Sequence, residues 1–158
     1  MSQTGLRPTG CEDPAFARLL AESHLRTVGT KLVDVESTAA DAAHWLYHEA
    51  PFGLLAHERG SDPVFRYANR TAQRAFGYDW SEFDGLRSQL SAATPDRAER
   101  AHLLDEVTRN GYFSGYRGLR ISKSGAQFWI ENTTVWNVID EHGELRGQAA
   151  TFTSVTPA

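Results

Sequence analysis

Three runs of β-branched and aromatic residues fill the C-terminal third of the chain. They span residues 111–125, 126–139 and 145–154, and turn clusters at 122–125 (Ser-Lys-Ser-Gly) and 140–143 (Asp-Glu-His-Gly) separate them. Turn residues that end in glycine between such runs are typical of β-hairpins. Three consecutive antiparallel strands are therefore predicted. The middle run is long for a strand, which predicts a bend or a bulge within it.

One face of the middle strand combines apolar and polar residues. Alternate side chains of a strand share a face of the sheet, and one alternate set here is apolar at both ends and polar at its centre. It comprises Phe128, Ile130, Asn132, Thr134, Trp136 and Val138. Such a polar patch is expected either to hold a ligand or to be satisfied internally by the protein.

Helical patterns dominate the first third of the chain. Asp13 followed by Pro14 predicts the start of an amphipathic helix, and Gly29 predicts its end. A second helix is predicted to open at Thr38 and to finish before Pro51, which disfavours helical geometry in the residue that precedes it.

Two strand patterns follow, at residues 52–57 and 64–68. After them come a short helix at 69–77, a helical turn near 78–85 and the longest helix at 96–110. With the three later strands, this order is α+β and matches the arrangement of PAS domains. We expect a PAS-like five-stranded antiparallel sheet with short helices across one face and an N-terminal helical extension. The predicted division is a flexible tail (1–12), N-terminal helices (13–50) and a PAS-like domain (51–158).

Composition and charge narrow the class of protein. Of the 158 residues, 41% are apolar and 23% are charged, as in an ordinary globular domain. The net charge is −4 and no dense run of Lys and Arg occurs, so autonomous nucleic-acid binding is not expected. Since the sequence has neither an apolar stretch of roughly 18 residues nor a signal peptide, we expect no membrane association and a cytoplasmic location. The single cysteine, Cys11, forms no internal disulfide.

Motifs spread along most of the chain resemble the MEKHLA domain, a PAS-like family. They are EAPFGLLAH (49–57), DPVFRYAN (62–69), FGYDW (76–80), GYFSGYRG (111–118), RISKSG (120–125), VW (135–136) and GQAATF (147–152). The resemblance covers nearly everything from Trp45 onward. The helices before Trp45 look like those that precede this domain in stand-alone bacterial relatives.

The resemblance implies a sensory role. In plants the family's domain lies at the end of class III homeodomain-leucine zipper regulators, where it is regarded as a sensory and dimerisation-controlling module. In bacteria the domain occurs largely alone. This chain has no homeodomain or zipper heptads, so the DNA-binding part of the analogy does not transfer. We expect a module that binds a small molecule or a protein partner and signals through homodimerisation or docking. The alternative is a small enzyme, or an accessory protein to one, that uses the same cavity.

Amide side chains are the polar candidates for a ligand pocket. Asn132 lies on the middle strand and Gln148 on the last strand, and an amide offers both donors and acceptors to a ligand. The same amides can instead satisfy buried backbone groups. The other pocket candidates are Tyr67, Asn69, Phe128, Ile130, Trp136 and Phe152.

The cofactor is unknown from the sequence, and flavin and haem are the two alternatives to weigh. Flavin-binding relatives of the light-oxygen-voltage group use amides of the corresponding strands, but their Asn-Cys-Arg-Phe-Leu segment is missing and Cys11 lies in the predicted tail. Adduct chemistry of that kind is not expected. The candidate haem ligand is His102 on the predicted long helix. Leu103 lies on the predicted buried face of that helix, and His102 is rotated roughly 100° from it about the helix axis. A surface or boundary histidine is therefore predicted.

Metal binding and catalysis find little support in the sequence. His44 and His48 stand four residues apart on a predicted helix, a spacing at which two imidazoles can share a metal. Zinc proteases need a third ligand and a glutamate directly after the first histidine, where this chain has Trp45. No metal site is predicted. No serine lies in a Gly-x-Ser-x-Gly elbow, and with no catalytic constellation recognised, we do not predict an enzyme.

Three apolar residues are candidates for an interface. Trp45 lies on the helix that leads into the sheet, and Trp129 and Val135 lie on the strand face opposite Phe128. A second subunit or the chain's own N-terminal helices are the two alternatives for covering this face.

Overall fold

The computed structural model describes residues 8–33, 38–60, 63–92 and 97–158. Side chains cap three helices as predicted, because Asp13, Thr38 and Asn69 each accept a hydrogen bond from a backbone N–H of the first turn. The helices are α1 (Pro14–Thr27), α2 (Ala39–His44), α3 (Arg70–Phe76), α4 (Trp80–Phe83) and α5 (Arg97–Asn110), with a π-helical turn at Trp45–Glu49 and a 3-10 turn at Ser88–Ser91.

The strands form one antiparallel sheet in the order β2-β1-β5-β4-β3, and β6 also pairs with β4. They are β1 (Gly53–Glu58), β2 (Phe65–Ala68), β3 (Tyr112–Ile121), β4 (Gln127–Ile139), β5 (Leu145–Phe152) and β6 (Ser154–Pro157). The predicted α+β class and PAS-like antiparallel sheet are confirmed. The sheet has six strands where five were expected, because the last strand is interrupted at Thr153 and resumes as β6.

This interruption lies opposite a bulge in β4. Asn132 has a φ of 51°, the one positive φ of a non-glycine residue among the described residues, and Asn tolerates this left-handed conformation better than most residues. Residues 128–131 of β4 pair with β6, and residues 134–139 pair with β5. The bend predicted for the long middle strand is thus found at Asn132.

Helices cover both faces of the sheet. On the outer face, α1, α2 and the π-helical turn pack against residues that include Leu54, Tyr67 and Trp136. On the inner face, the later helices pack against residues that include Phe128 and Val135. Of the two predicted alternatives for covering the outer face, the chain's own N-terminal helices are the ones that pack on these residues.

Part of the predicted tail contacts these helices. Cys11 packs partly buried against the outer-face core, and Glu12 forms hydrogen bonds with His44 and His48. Two residues at the end of the predicted tail thus contact the helices, whereas residues 1–7 lie outside the described residues. So do residues 34–37, 61–62 and 93–96, and the predicted start of the long helix at residue 96 falls on the last of these segments. Within the described ranges, no helix has the length and apolar character to cross a bilayer.

Candidate functional site

A small cavity, here called the inner cavity, lies between the inner face of the sheet and helix α5. Its volume is about 40 Å³, which exceeds the roughly 10–15 Å³ that a single water needs. Part of its wall is apolar, and the rest carries buried polar and charged side chains. The larger apolar residues in the wall are Leu55, Phe65, Leu103, Leu104, Ile130 and Val135.

Two buried arginines reach the inner cavity from different elements. Arg100 of α5 is 8% exposed and Arg120 of β3 is 6% exposed. Arg100 Nη2 donates to Ser88 Oγ at 2.8 Å, and Arg120 Nη2 donates to the Tyr116 hydroxyl at 3.4 Å. Burial of a charge is unfavourable unless it is paired or hydrogen-bonded. Among the described residues of the wall none is a carboxylate, and these two arginines are its charged side chains.

His57 of β1 also lines the inner cavity, in the neutral form. Its Nδ1 lies 2.9 Å from Glu58 O, and because a carbonyl only accepts, Nδ1 donates and Nε2 is an acceptor. Burial, and secondarily the charge of Arg100, lowers the pKa of His57 to about 4. His57 therefore carries no charge at neutral pH.

The Thr133 side chain places a hydroxyl without a hydrogen-bond partner among the described residues at the wall of the inner cavity. Thr133 is 1% exposed and lines the inner cavity. Its Oγ1 is buried and has no hydrogen-bond partner among the described residues. Since the large majority of buried polar atoms in proteins have a partner, this hydroxyl marks the inner cavity as a place for a polar ligand atom or water.

The bulge at Asn132 decides which side chains of β4 reach the cavity. Asn132 is itself exposed, and the alternation of faces shifts by one residue after it. Thr133 and Val135 therefore continue the inner face of Phe128, whereas Trp136 turns to the outer face. The expectation that Asn132 and Trp136 share a face with Phe128 is corrected by this shift.

Trp136 and Tyr67, two of the predicted pocket residues, lie in the outer-face core. The Trp136 indole Nε1 donates to Ser23 Oγ of α1 at 3.1 Å. The Tyr67 ring packs against Phe16 of the same helix, with 5.3 Å between ring centroids. Both side chains fix the N-terminal helices on the sheet, on the opposite side from the inner cavity.

Ile130 and Gln148 are the predicted pocket residues that line the inner cavity. Gln148 Nε2 lies 3.1 Å from Leu104 O and 3.2 Å from Asn137 Oδ1. Asn137 Nδ2 donates in turn to Val107 O at 2.9 Å. The two amides thus tie β4 and β5 to α5, and Asn137 is the buried amide of the middle strand.

Phe128 and Phe152 belong to an aromatic cluster on the inner face. Both rings contact Phe76 of α3, at centroid distances of 5.1 and 6.2 Å. They are part of the core that supports the sheet, and neither is among the residues that line the inner cavity.

Asn69 is fully buried at the start of α3 and makes four hydrogen bonds to the backbone. Its Oδ1 accepts from Leu54 N and Ala72 N, and its Nδ2 donates to Leu46 O and Phe52 O, all at 3.0 Å. These four bonds connect α3, β1 and the π-helical turn. They satisfy both donors and both acceptor positions of the amide.

The three interface candidates lie in different surroundings. Trp45 packs edge to face on Phe52, with 5.9 Å between centroids. The Trp129 ring lies under the Arg117 guanidinium at 3.9 Å. Val135 is 5% exposed and lines the inner cavity, so the expectation that it is available to a partner is corrected.

The residues considered for cofactors lie away from the inner cavity. The His102 side chain is 71% exposed and lies 3.4 Å from Glu106, and Cys11 packs with the outer-face core. A cavity of about 40 Å³ is also far smaller than the roughly 300–1,000 Å³ of typical small-molecule pockets. The three-ring system of a flavin does not fit in it.

Sequence reasoning missed the residues that give the inner cavity its polarity: His57, Arg100, Arg120 and Thr133. A signal for one of them was present. Arg100 precedes Leu103 by three residues and Val107 by seven, which is the spacing of one helix face. Helical phase alone therefore places Arg100 on the buried side of α5.

Comparison with known proteins connects this geometry to a fold and a family. A PAS domain from Colwellia psychrerythraea is 13% identical, with a TM-score of 0.62 over 75% of this chain and 94% of that chain. The LOV domain of a blue-light activated histidine kinase from Erythrobacter litoralis is 17% identical, with a TM-score of 0.58 over 70% of this chain and 100% of that chain. Among curated proteins no significant match was found. At these identities the likeness shows the PAS fold.

A family model described as the MEKHLA domain matches residues 14–157. The match includes the N-terminal helices as well as the sheet. It confirms the resemblance found in the sequence motifs. The chain therefore belongs to the MEKHLA domain family.

Proposed function

We propose that this protein is a sensory module that binds a short-chain carboxylate in the inner cavity. The observation that carries the proposal is the Thr133 hydroxyl, buried without a hydrogen-bond partner among the described residues in a cavity that two buried arginines also line. A ligand oxygen in this position would accept from Thr133 Oγ1 and lie close to positive charge.

Charge and shape favour a carboxylate over other small ligands. Guanidinium groups match the planar geometry of a carboxylate and bind it with charge-assisted hydrogen bonds. His57 is neutral at pH 7 and does not add a charge of its own. The apolar part of the wall, with Leu103 and Val135, suits a short alkyl chain. The small cavity volume of about 40 Å³ restricts the whole ligand to a short chain, of which three-carbon propionate is an example.

Strand β4 offers a path from the inner cavity to the N-terminal helices. Val135 lines the cavity, and the next residue, Trp136, donates to Ser23 of α1 on the other face. Movement of β4 on ligand binding would change how α1 is held. We propose that the output is a change in homodimerisation or in docking to a partner, which sedimentation velocity with and without sodium propionate measures.

The test of the binding step is isothermal titration of the full chain with sodium propionate at constant ionic strength. We expect saturable binding of one propionate per chain, and no such binding of the neutral isostere propionamide. Thr133→Val keeps the side-chain shape and is expected to weaken binding by about tenfold, since a hydrogen bond to a charged group is lost. It should leave the free energy of unfolding unchanged or raised, because Oγ1 has no protein partner to lose among the described residues.

Thr134→Val is the matched control. Thr134 is the next residue of β4, is partly exposed and does not line the inner cavity. We expect the Thr134→Val variant to bind propionate with the affinity of the unmodified chain. Absence of saturable binding, equal binding of propionamide, or equal weakening by both threonine substitutions would overturn the proposal.

A further inference from the structure

Three metal-ligating side chains converge on the surface of the N-terminal helices, which cover the face of the sheet opposite the inner cavity. His44 Nδ1 lies 2.8 Å from Glu12 Oε1, and His48 Nε2 lies 3.1 Å from Glu12 Oε2. Taken together, one ligand atom from each of the three residues lies within 4.8 Å of the other two. The sequence alone shows the histidine pair but not the third ligand.

The two histidines lie where α2 passes into the π-helical turn. In a regular α-helix, a residue four positions on is turned roughly 40° past a full circle. Here the helix widens directly after His44, where Ala50 N donates to Trp45 O across five residues. The two imidazole centroids lie 4.7 Å apart across this widened turn.

Glu12 is fixed in place by the start of α1. Asp13, the next residue, caps that helix by accepting from Ala15 N and Phe16 N, and it also accepts from Thr9 N. Because α1 packs against α2 in the outer-face core, the capped turn holds the Glu12 carboxylate over the histidine pair. Two elements that are distant in sequence thus present three ligands on one side.

Two imidazoles and one carboxylate form a donor set that binds zinc, with the fourth position of the tetrahedron left to water. The side chains of His44, His48 and Glu12 are 57%, 40% and 45% exposed. An ion therefore reaches them from solvent without any rearrangement of the core. We propose that Glu12, His44 and His48 form a zinc site that joins the segment before α1 to the end of α2 and the π-helical turn, independently of any ligand in the inner cavity.

The experiment is isothermal titration of zinc chloride into the full chain after removal of metals with a chelator. One zinc ion per chain is expected to bind. His44→Gln, His48→Gln and Glu12→Gln are each expected to weaken binding by at least about tenfold, since even loss of a residue that only orients a ligand costs 10- to 100-fold. These side chains are exposed, so circular dichroism should show an unchanged fold.

Two matched controls are His102→Gln and Cys11→Ser. His102 is an exposed histidine next to a carboxylate, Glu106, on another helix, and Cys11 is the only thiol of the chain. Both variants should bind zinc as the unmodified chain does.

A second measurement needs no variant that removes a ligand. In a long-range ¹H–¹⁵N spectrum of the unmodified chain, zinc should shift the imidazole signals of two histidines, His44 and His48. The proposal is overturned if no zinc binds, if the His44→Gln variant binds zinc as tightly as the unmodified chain, or if zinc shifts other histidines instead. In those cases the three side chains form a hydrogen-bonded contact only.

Discussion

At the scale of single residues, His57 makes the stability of the protein depend on pH. Its pKa is about 4 in the folded chain, whereas an unperturbed histidine titrates near 6.5. Between these two pH values the unfolded chain binds a proton that the folded chain does not. The free energy of unfolding therefore falls as pH drops from about 6.5 to about 4, by up to about 3 kcal/mol.

Replacement of His57 by glutamine should reduce this dependence. His57→Gln leaves no group to be protonated in the inner cavity, so the free energy of unfolding should fall less steeply below pH 6.5. Urea unfolding at a series of pH values measures how the free energy of unfolding depends on pH. His24, whose pKa is lowered by burial, remains in the variant and supplies a residual slope.

His102→Gln is the control for this series. The His102 side chain is 71% exposed, so its loss should leave the slope of the unmodified chain in place. If His57→Gln and His102→Gln gave the same slope as the unmodified chain, burial of a neutral His57 would be refuted.

At the scale of elements, helix α1 is an integral part of the fold. Leu20 is fully buried against the sheet, whereas Leu25 of the same helix is 48% exposed. Leu20→Ala should lower the free energy of unfolding by about 2–4 kcal/mol, because it leaves a cavity in the outer-face core. Leu25→Ala should change it by less than about 0.5 kcal/mol.

Urea unfolding of the two variants measures the difference, and both substitutions carry the same helix propensity change. Similar small losses in both would mean that α1 does not pack on the sheet. A large loss in Leu25→Ala alone would place the opposite face of α1 against the protein or against a second subunit.

Elements that depend on local chemistry could be predicted from the sequence, whereas the faces of β4 could not. The caps at Asp13, Thr38 and Asn69 rely on a side chain and the backbone within the next few residues, so residue type is enough to find them. The bulge at Asn132 inserts one residue and thereby exchanges the two faces of everything after it. An asparagine permits the positive φ but does not require it, so alternation alone assigned Trp136 to the inner face.

At the scale of the whole molecule, β4 lies between two different environments. Its inner face closes the inner cavity, and its outer face holds the N-terminal helices through Trp136 and Ser23. The order of elements predicted this sheet. It could not predict the polarity of the cavity, because Arg100 and Arg120 come from α5 and β3 and meet only after the chain has folded.

The central claim is that binding of a carboxylate in the inner cavity changes the contact between β4 and helix α1. The most direct measurement is the indole N–H signal of Trp136 in a ¹H–¹⁵N spectrum during titration with sodium propionate, with Trp136→Phe to assign it among the four tryptophans. We predict a saturable shift of this signal together with the backbone amides of Thr133 and Val135, and no shift with propionamide. A Trp136 signal that stays in place at saturating propionate, or moves equally with propionamide, would contradict the claim.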